Sequence, residues 1–335
     1  MSNLKTILSG KISCKSIWFM RQAGRYLPEF KKIRSSNSDF IKLCLNSNLS
    51  SEITLQPIKR FNLDSAIIFS DILMVPYALG QEVKFIKNHG PRLNNFDIKY
   101  LKNTKEKFSK NLAPVYKAID ITRKNLDKKK SLISFIGAPW TLLVYMLNIK
   151  DVEGKINLSL LNNKNFKVND VILELVNYLC IHIKNQINAG ADVVQIFDSW
   201  AGLIPHNEIE KFCYLPNAKI VEFCKKEKIS NICFPKGIKD KYKKFNEFVK
   251  PDGINIDPEI DPKWAKEKLK NVVLQGGLDP KILLKTEDEI IKAATKYIQT
   301  FKDIPYVFNL GHGILPQTDP VKVETLIKFY RNFDG

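Results

Sequence analysis

The sequence predicts an α/β fold: a single (β/α)8 TIM barrel with long loops over its C-terminal mouth, forming one domain over residues 1–335. Three observations carry this prediction. Eight short β-branched or aromatic runs recur along the chain, and most are followed by a turn and then a helical pattern. The runs are almost continuously apolar, as parallel strands covered on their outer face by helices must be. Finally, no Pro/Gly/Ser-rich linker or shift of composition divides the 335 residues, so eight strands fit one barrel better than two doubly wound domains.

Taken in order, Ile-Trp-Phe-Met at 17–20 and Ser-Ala-Ile-Ile-Phe-Ser at 65–70 are the first two strands. The segment 72–103, rich in Gly, Pro and Asn, is too long for a routine connection and is expected to lie over the barrel mouth. A third strand follows at 131–137, then the clearest helix, at 169–188, where Asn169 is placed to cap, Ile172, Leu175, Val176, Leu179, Ile183 and Ile187 form one stripe, and Gly190 ends it. Strands at 192–198, 231–235, 253–257, 272–276 and 306–310 complete the set, with helical patterns at about 205–228, 286–301 and 319–332. An open dinucleotide-binding sheet would want Gly-x-Gly-x-x-Gly after the first strand, and none is present.

A composition of 44% hydrophobic and 26% charged residues describes a globular chain and excludes collagen-like and disulfide-miniprotein classes. The net charge of +18 points on its face to a polyanionic partner. Only seven of the 53 basic residues are Arg, however, and the 46 Lys fall along helices and in runs such as 128–130, which read as solvated faces. Nucleic acid is therefore not expected as a partner, and the few Arg are the informative cations, because a planar guanidinium fork grips a carboxylate in two places. Six cysteines without a Cys-x-x-Cys pair read as buried reduced thiols. No stretch approaches the roughly 18 apolar residues of a membrane span, so a cytoplasmic protein without membrane contact is expected.

In such a barrel the chemistry sits at the carboxyl ends of the strands. Arg21 and Arg25 follow the first strand around Gly24, where the missing side chain lets a ligand approach the backbone, and Arg34 is close behind. Such a pair can instead be bound to helix carboxylates at the surface. Asp71 closes the second apolar run, where capping the next turn is its alternative role. Tyr145 follows the third strand. Ser199 follows the fourth as a hydrogen-bond donor, since neither Gly-x-Ser-x-Gly nor a suitably spaced His makes it a nucleophile. His312, between two Gly after the eighth strand, is the acid–base candidate among four His; His182 and His206 read as structural or solvated, and His89 is open. No His-x-Cys or Cys-x-x-Cys spacing suggests zinc, and no Walker loop or distinct Schiff-base Lys is evident, so neither metal nor cofactor is expected.

Several segments together resemble the uroporphyrinogen decarboxylase family of haem biosynthesis: Trp18-Phe-Met-Arg-Gln-Ala-Gly-Arg-Tyr-Leu-Pro-Glu, Ile67-Ile-Phe-Ser-Asp-Ile-Leu, Gly137-Ala-Pro-Trp-Thr-Leu, Tyr145, Phe197-Asp-Ser-Trp-Ala-Gly, Phe234-Pro-Lys-Gly and Phe308-Asn-Leu-Gly-His-Gly-Ile-Leu-Pro. They run in family order from about 13 to 330, and the Arg-Gln-Ala-Gly-Arg-Tyr-Leu-Pro-Glu run is highly specific. One departure is Gly277, where the family usually has Asn. The resemblance implies a homodimer of barrels that removes CO2 from the four acetate arms of uroporphyrinogen III without cofactor, giving coproporphyrinogen III. It further implies Asp71, Arg21, Tyr145 and His312 as catalytic residues. Gln22, Ala23, Gly24, Arg25, Arg34, Phe69, Phe197 and Ser199 would join them in binding substrate. Corrinoid-linked methyltransferases share this barrel but use thiolate and imidazole zinc ligands, which the spacing here does not supply.

Overall fold

Seven parallel strands form one curled sheet in a computed structural model of the chain, which describes residues 2–12, 14–86, 90–150, 155–161 and 166–333. They are β1 (Ser65–Ile67), β4 (Ser131–Gly137), β5 (Val193–Asp198), β6 (Ser230–Pro235), β7 (Gly253–Ile256), β8 (Val273–Gly276) and β9 (Tyr306–Val307), paired in that order. A separate antiparallel hairpin joins β2 (Val83–Ile86) and β3 (Gly90–Leu93), so the 72–103 segment carries structure of its own, together with the helix Met74–Leu79. Phe85 of the hairpin packs 4.6 Å from Phe40, which in turn lies 5.9 Å from Phe69 just beyond β1.

The expected strand at 17–20 is reduced to a single parallel bridge between Ile17 and Phe308. On that flank Phe308 N–H donates to the Ser16 carbonyl (2.9 Å), but Met20 N–H then turns to the Asn309 side chain (3.2 Å). On the other flank Asp64 N–H donates to the Ile17 carbonyl (3.0 Å), while Ile17 N–H donates to the Asp64 carboxylate (2.7 Å). Side chains thus take the places of ladder partners, and the strand pairing leaves a curled sheet of seven strands instead of an eight-stranded closed one. The same substitution shortens β1: Phe69 N–H donates to Thr54 Oγ1 (2.8 Å), and its carbonyl accepts from Ser50 Oγ (2.6 Å).

Alternation along the strands fills the concave side. Trp18, Ile67, Ile133, Val193, Ile232, Phe234, Val273 and Val307 pack there as one cluster, plugged from below by Leu4, Ile7 and Leu8. Within it lies a buried amide chain in which Trp18 Nε1 donates to Gln275 Oε1 (3.0 Å) and Gln275 Nε2 donates to Gln195 (3.1 Å) and Asn255 (3.0 Å). These bonds tie the amino-terminal segment to β5, β7 and β8 across the concavity.

The helices cover the convex side. The one expected at 169–188 runs Val168–Asn188, with Lys167 and not Asn169 at its amino cap, and Gly190 follows in a left-handed conformation (φ 110°). The helix expected over 205–228 is broken into the 3-10 turn His206–Glu208, the π-turn Glu210–Tyr214 and the α-helix Leu215–Lys226. Pro216 cannot donate to the turn before it, and Asn217 is drawn away to the Cys213 carbonyl (2.8 Å) and Asp198 Oδ2 (3.2 Å). The last two helices, Glu287–Phe301 and Pro320–Asn332, start where Thr286 and Asp319 cap them. Among the described residues no helix is long and apolar enough to cross a membrane. At the departure noted above, Gly277 (φ 96°) leaves no room for a side chain, since a Cβ would lie 2.6 Å from the Tyr297 ring.

Candidate active site

Beyond the carboxyl end of β1, Asp71 does two things at once. Its Oδ1 accepts the Leu73 N–H (2.8 Å) and its carbonyl accepts the Met74 N–H (3.1 Å), so it caps the turn. Its Oδ2 has no hydrogen bond or ion pair among the described residues. Loss of hydration pushes the half-buried carboxyl up to about 6, against the opposing pull of the Leu73 N–H and the Arg21 charge.

Arg21 stands in the left-handed region (φ 60°), an uncommon conformation for a residue with a side chain, and it is held there by its neighbours. Gln22 N–H donates to the Phe19 carbonyl (3.0 Å), and Ile314 N–H donates to the Met20 carbonyl (2.9 Å). The Arg21 stem lies against Gly313, where an added Cβ would come 2.6 Å from Cγ. Loss of hydration, then the charge of Arg25, lowers the Arg21 guanidinium below its ordinary value, while Asp71 and Tyr145 oppose the shift.

The surface alternative for this arginine pair is answered by comparison with the structural arginines. Arg60 forks onto Glu29 (2.8 and 3.0 Å), Arg123 pairs with Asp192 (3.1 Å) and Arg331 with Asp64 (2.8 Å). Among the described residues Arg21 and Arg25 have no ion pair, and both are exposed to an incoming anion. Arg34 instead donates to the Asn37 carbonyl and lies 5.7 Å over the Phe40 ring, next to Phe69.

His312 accepts the Gly313 N–H at Nδ1 (2.7 Å), which assigns its ring hydrogen to Nε2. Burial, followed by the charges of Lys236 and Arg21, lowers it to about 4. At neutral pH it is therefore a neutral hydrogen-bond donor and not a reservoir of protons. Tyr145, on the helix Pro139–Met146, is half-buried with its ring edge-on to Trp200 at 6.0 Å. Burial raises its hydroxyl above the usual value, Asp71 adding to the shift and Trp200 and Arg21 opposing it. Ser199 is half-exposed in the turn after β5. That turn is fixed by Asp198, whose Oδ1 accepts Thr141 Oγ1–H (2.7 Å), while Thr141 Oγ1 accepts the Trp200 N–H (3.2 Å). Half-exposed Phe197 packs against Phe135 at 5.8 Å and forms an apolar floor over the filled concavity.

Not every predicted residue faces this space. Gln22 is fully buried, with Oε1 accepting the Phe19 N–H (3.0 Å) and Nε2 donating to the Ser65 carbonyl (2.9 Å), so it splices the first segment to β1. Gln22→Leu is expected to strand these two buried backbone groups and cost about 2–4 kcal/mol, read as a lower urea midpoint. Phe69 is buried between Phe30 and Phe40, and Ala23 packs on the outer core, while Gly24 holds the turn closed against the Arg21 carbonyl. His89 lies outside the described residues. His182 is buried against the Tyr116 hydroxyl (3.0 Å), and His206 begins a 3-10 turn. No cluster of three or more His, Cys, Asp or Glu that could hold a metal occurs among the described residues. One strand-end cation was given no role from the sequence, although it lies in the segment Phe234-Pro-Lys-Gly: Lys236, half-buried after β6, whose charge is felt by His312 and which itself feels that of Arg21.

A solved structure of a methyltransferase from Methanosarcina mazei is similar over 99% of this chain and 98% of its own, with a TM-score of 0.77 and 16% identity, a likeness of fold alone. The sequence profile of the family described as Uroporphyrinogen decarboxylase (URO-D) matches residues 3–333. Curated relatives named uroporphyrinogen decarboxylase include one from Orientia tsutsugamushi (strain Ikeda), 42% identical over 325 residues and covering 95% of this chain and 94% of its own. Another, from Rickettsia akari (strain Hartford), is 41% identical over 344 residues and covers 99% of both chains. A profile match and relatives that span nearly the whole length place the chain in the uroporphyrinogen decarboxylase family.

Proposed function

We propose that this chain decarboxylates uroporphyrinogen III, converting its four acetate arms to methyl groups and giving coproporphyrinogen III and CO2. The observation that carries the role of the site is the facing of an unpaired arginine pair, Arg21 and Arg25, and the half-buried Asp71 at one end of the curled sheet. An anion clamp beside a carboxylate suits a ligand that is negative at its rim and becomes positive at its centre. A porphyrinogen undergoing decarboxylation is such a ligand. Proton addition to a ring carbon next to the acetate arm makes the pyrrole a cation. The bond to the carboxylate then breaks, its electron pair neutralises the ring, and CO2 leaves. A second proton adds to the exocyclic carbon and the ring proton is lost, so each turnover consumes one proton net.

Asp71 Oδ2 accepts the inward pyrrole N–H groups and stabilises the ring cation, the type of preorganised charge that is worth roughly 3–4 kcal/mol of barrier. Arg21 and Arg25 hold carboxylates, and Arg21, whose burial and neighbouring Arg25 charge lower it below its ordinary value, is also assigned to proton transfer. Neutral His312, through Nε2, and Tyr145 orient the substrate. The chain's own residues supply these roles without a cofactor. The architecture we propose is a single barrel domain over 1–335 with the 16–20 segment as its eighth stave, supported by hydrogen bonds on both flanks of Ile17 and by the Trp18–Gln275 bond across the interior. A homodimer follows from the family resemblance. A reducing cytoplasmic setting is supported by six free thiols, four of them buried.

Anaerobic incubation with uroporphyrinogen III, followed by oxidation and chromatographic counting of carboxylates, is expected to show products with seven, six, five and then four. Product left entirely with eight carboxylates, under conditions where a reference decarboxylase works, overturns the proposal.

A further inference from the structure

We propose that Lys236 is a substrate-binding residue of this site, an anchor for a peripheral side-chain carboxylate of the tetrapyrrole; this rests on the decarboxylase function proposed above. Ile232 and Phe234 of β6 face the filled concavity, and the two-residue period of the strand carries Lys236 to the same side at its carboxyl end. Its backbone is pinned on both sides. Lys236 N–H donates to the Asp198 carbonyl (3.1 Å), and the Lys236 carbonyl accepts the Gly202 N–H (2.9 Å). The next residue is fixed too, with Gly237 N–H donating to Asp257 Oδ2 (2.6 Å).

The ammonium group is left without a counterion. Lys236 Nζ makes no hydrogen bond or ion pair among the described residues, although many surface lysines here do, such as Lys184 with Glu227 and Lys244 with Glu210. Asp257 is the carboxylate that opposes most strongly the loss of its proton, yet its Oδ2 is already engaged by Gly237 N–H and the Tyr242 hydroxyl (2.9 Å). Burial first, and then the Arg21 charge, lowers Lys236 below its ordinary value, and Lys236 in turn lowers His312. A half-buried ammonium set beside an unpaired guanidinium is an arrangement that an anion resolves. β6 stands three places from β1 in the sheet, so a ligand centred on Asp71 presents its rim to Lys236. A rim carboxylate supplies the missing counterion. A long, flexible ammonium, unlike a fixed fork, can follow different arms as the macrocycle turns between decarboxylations.

The test is Lys236→Met and Lys236→Arg, with steady-state kinetics on uroporphyrinogen III and Kd for coproporphyrinogen III from quenching of tryptophan fluorescence. The Met variant keeps the stem, and a thermal melt confirms its fold. We expect KM and Kd to rise at least about tenfold in Lys236→Met, kcat to change less than about threefold, and Lys236→Arg to recover most of the affinity. Unchanged KM and Kd in Lys236→Met overturn the proposal, as does a fall in kcat with affinity intact, which would place Lys236 in the chemistry instead. An inactive parent protein would instead overturn the decarboxylase function itself.

Discussion

Asp71→Asn is expected to fold, to become more stable than the parent at pH 8, and to lose most of its turnover. The two effects have one cause. In the folded protein the Asp71 carboxyl holds its proton up to about 6, against the usual 3.8, so the native state binds that proton more tightly than the unfolded chain does. As pH rises the unfolded chain releases the proton first, and ionised Asp71 then destabilises the fold by at most about 3 kcal/mol. The cost is absent below pH 3.8, grows as pH rises from there, and is complete above about 6. An uncharged isostere removes it, so denaturation midpoints of variant and parent should diverge above about pH 6 and converge near pH 4. Catalysis runs the other way. Asn offers the pyrrole N–H groups an acceptor but no charge for the ring cation, and kcat should fall by about 10²–10³. Because the parent needs the ionised form, its kcat/KM should drop about tenfold per pH unit below about 6, a limb that Asp71→Asn should lack. A variant with near-normal kcat, or one with no gain of stability at pH 8, would remove Asp71 from this role.

What the sequence made legible was whatever depends on a residue's own position. Arg21, Asp71, Tyr145, Ser199 and His312 follow apolar runs, and a strand-end rule finds them without knowing what they touch. Their environments were not legible. That Asp71 both caps a turn and presents a free oxygen depends on Leu73 and Met74 folding back. That His312 is held neutral depends first on its burial and then on the charges of Lys236, 76 residues earlier in the chain, and of Arg21. Lys236 lay in the segment Phe234-Pro-Lys-Gly but was assigned no role, although the inward phase of Ile232 and Phe234 was a usable signal for one. Gln22 reads as one more polar residue of a ligand loop until its partner, the Ser65 carbonyl, is seen. The expected strand at 17–20 and the expected helix at 205–228 were altered by long-range side-chain bonds from Asp64, Asn309 and Asp198, with the local exception of Pro216. Apolar periodicity reports which face is buried, and it is silent on which backbone groups a distant side chain will claim.

The two glycines that flank His312 are expected to separate stability from turnover when each is changed to alanine. At Gly311 a Cβ would lie 2.6 Å from Pro258 Cδ and 2.7 Å from its backbone nitrogen. Neither atom can move without shifting the chain after β7, so Gly311→Ala should lower stability by about 1–3 kcal/mol, visible in a urea melt. At Gly313 the obstructing atoms are Cγ, Cδ and Nε of Arg21, the middle of a flexible side chain whose far end is unpaired. Here the cheapest response is for Arg21 to swing away, which leaves the fold nearly untouched, within about 1 kcal/mol. The guanidinium is nevertheless the group that must meet a carboxylate at a fixed place, and a displacement of about 1 Å at such a position can cost up to 10²-fold in rate. Gly313→Ala should therefore melt like the parent while kcat/KM falls at least about tenfold, and shortening the obstructed side chain at the same time, in Gly313→Ala with Arg21→Ala, should add little to the loss already caused by Arg21→Ala. Full activity in Gly313→Ala would mean that Arg21 reaches its place by another rotamer and that its contact with Gly313 carries no function; additive losses in the double variant would mean that the glycine serves the site through something other than Arg21.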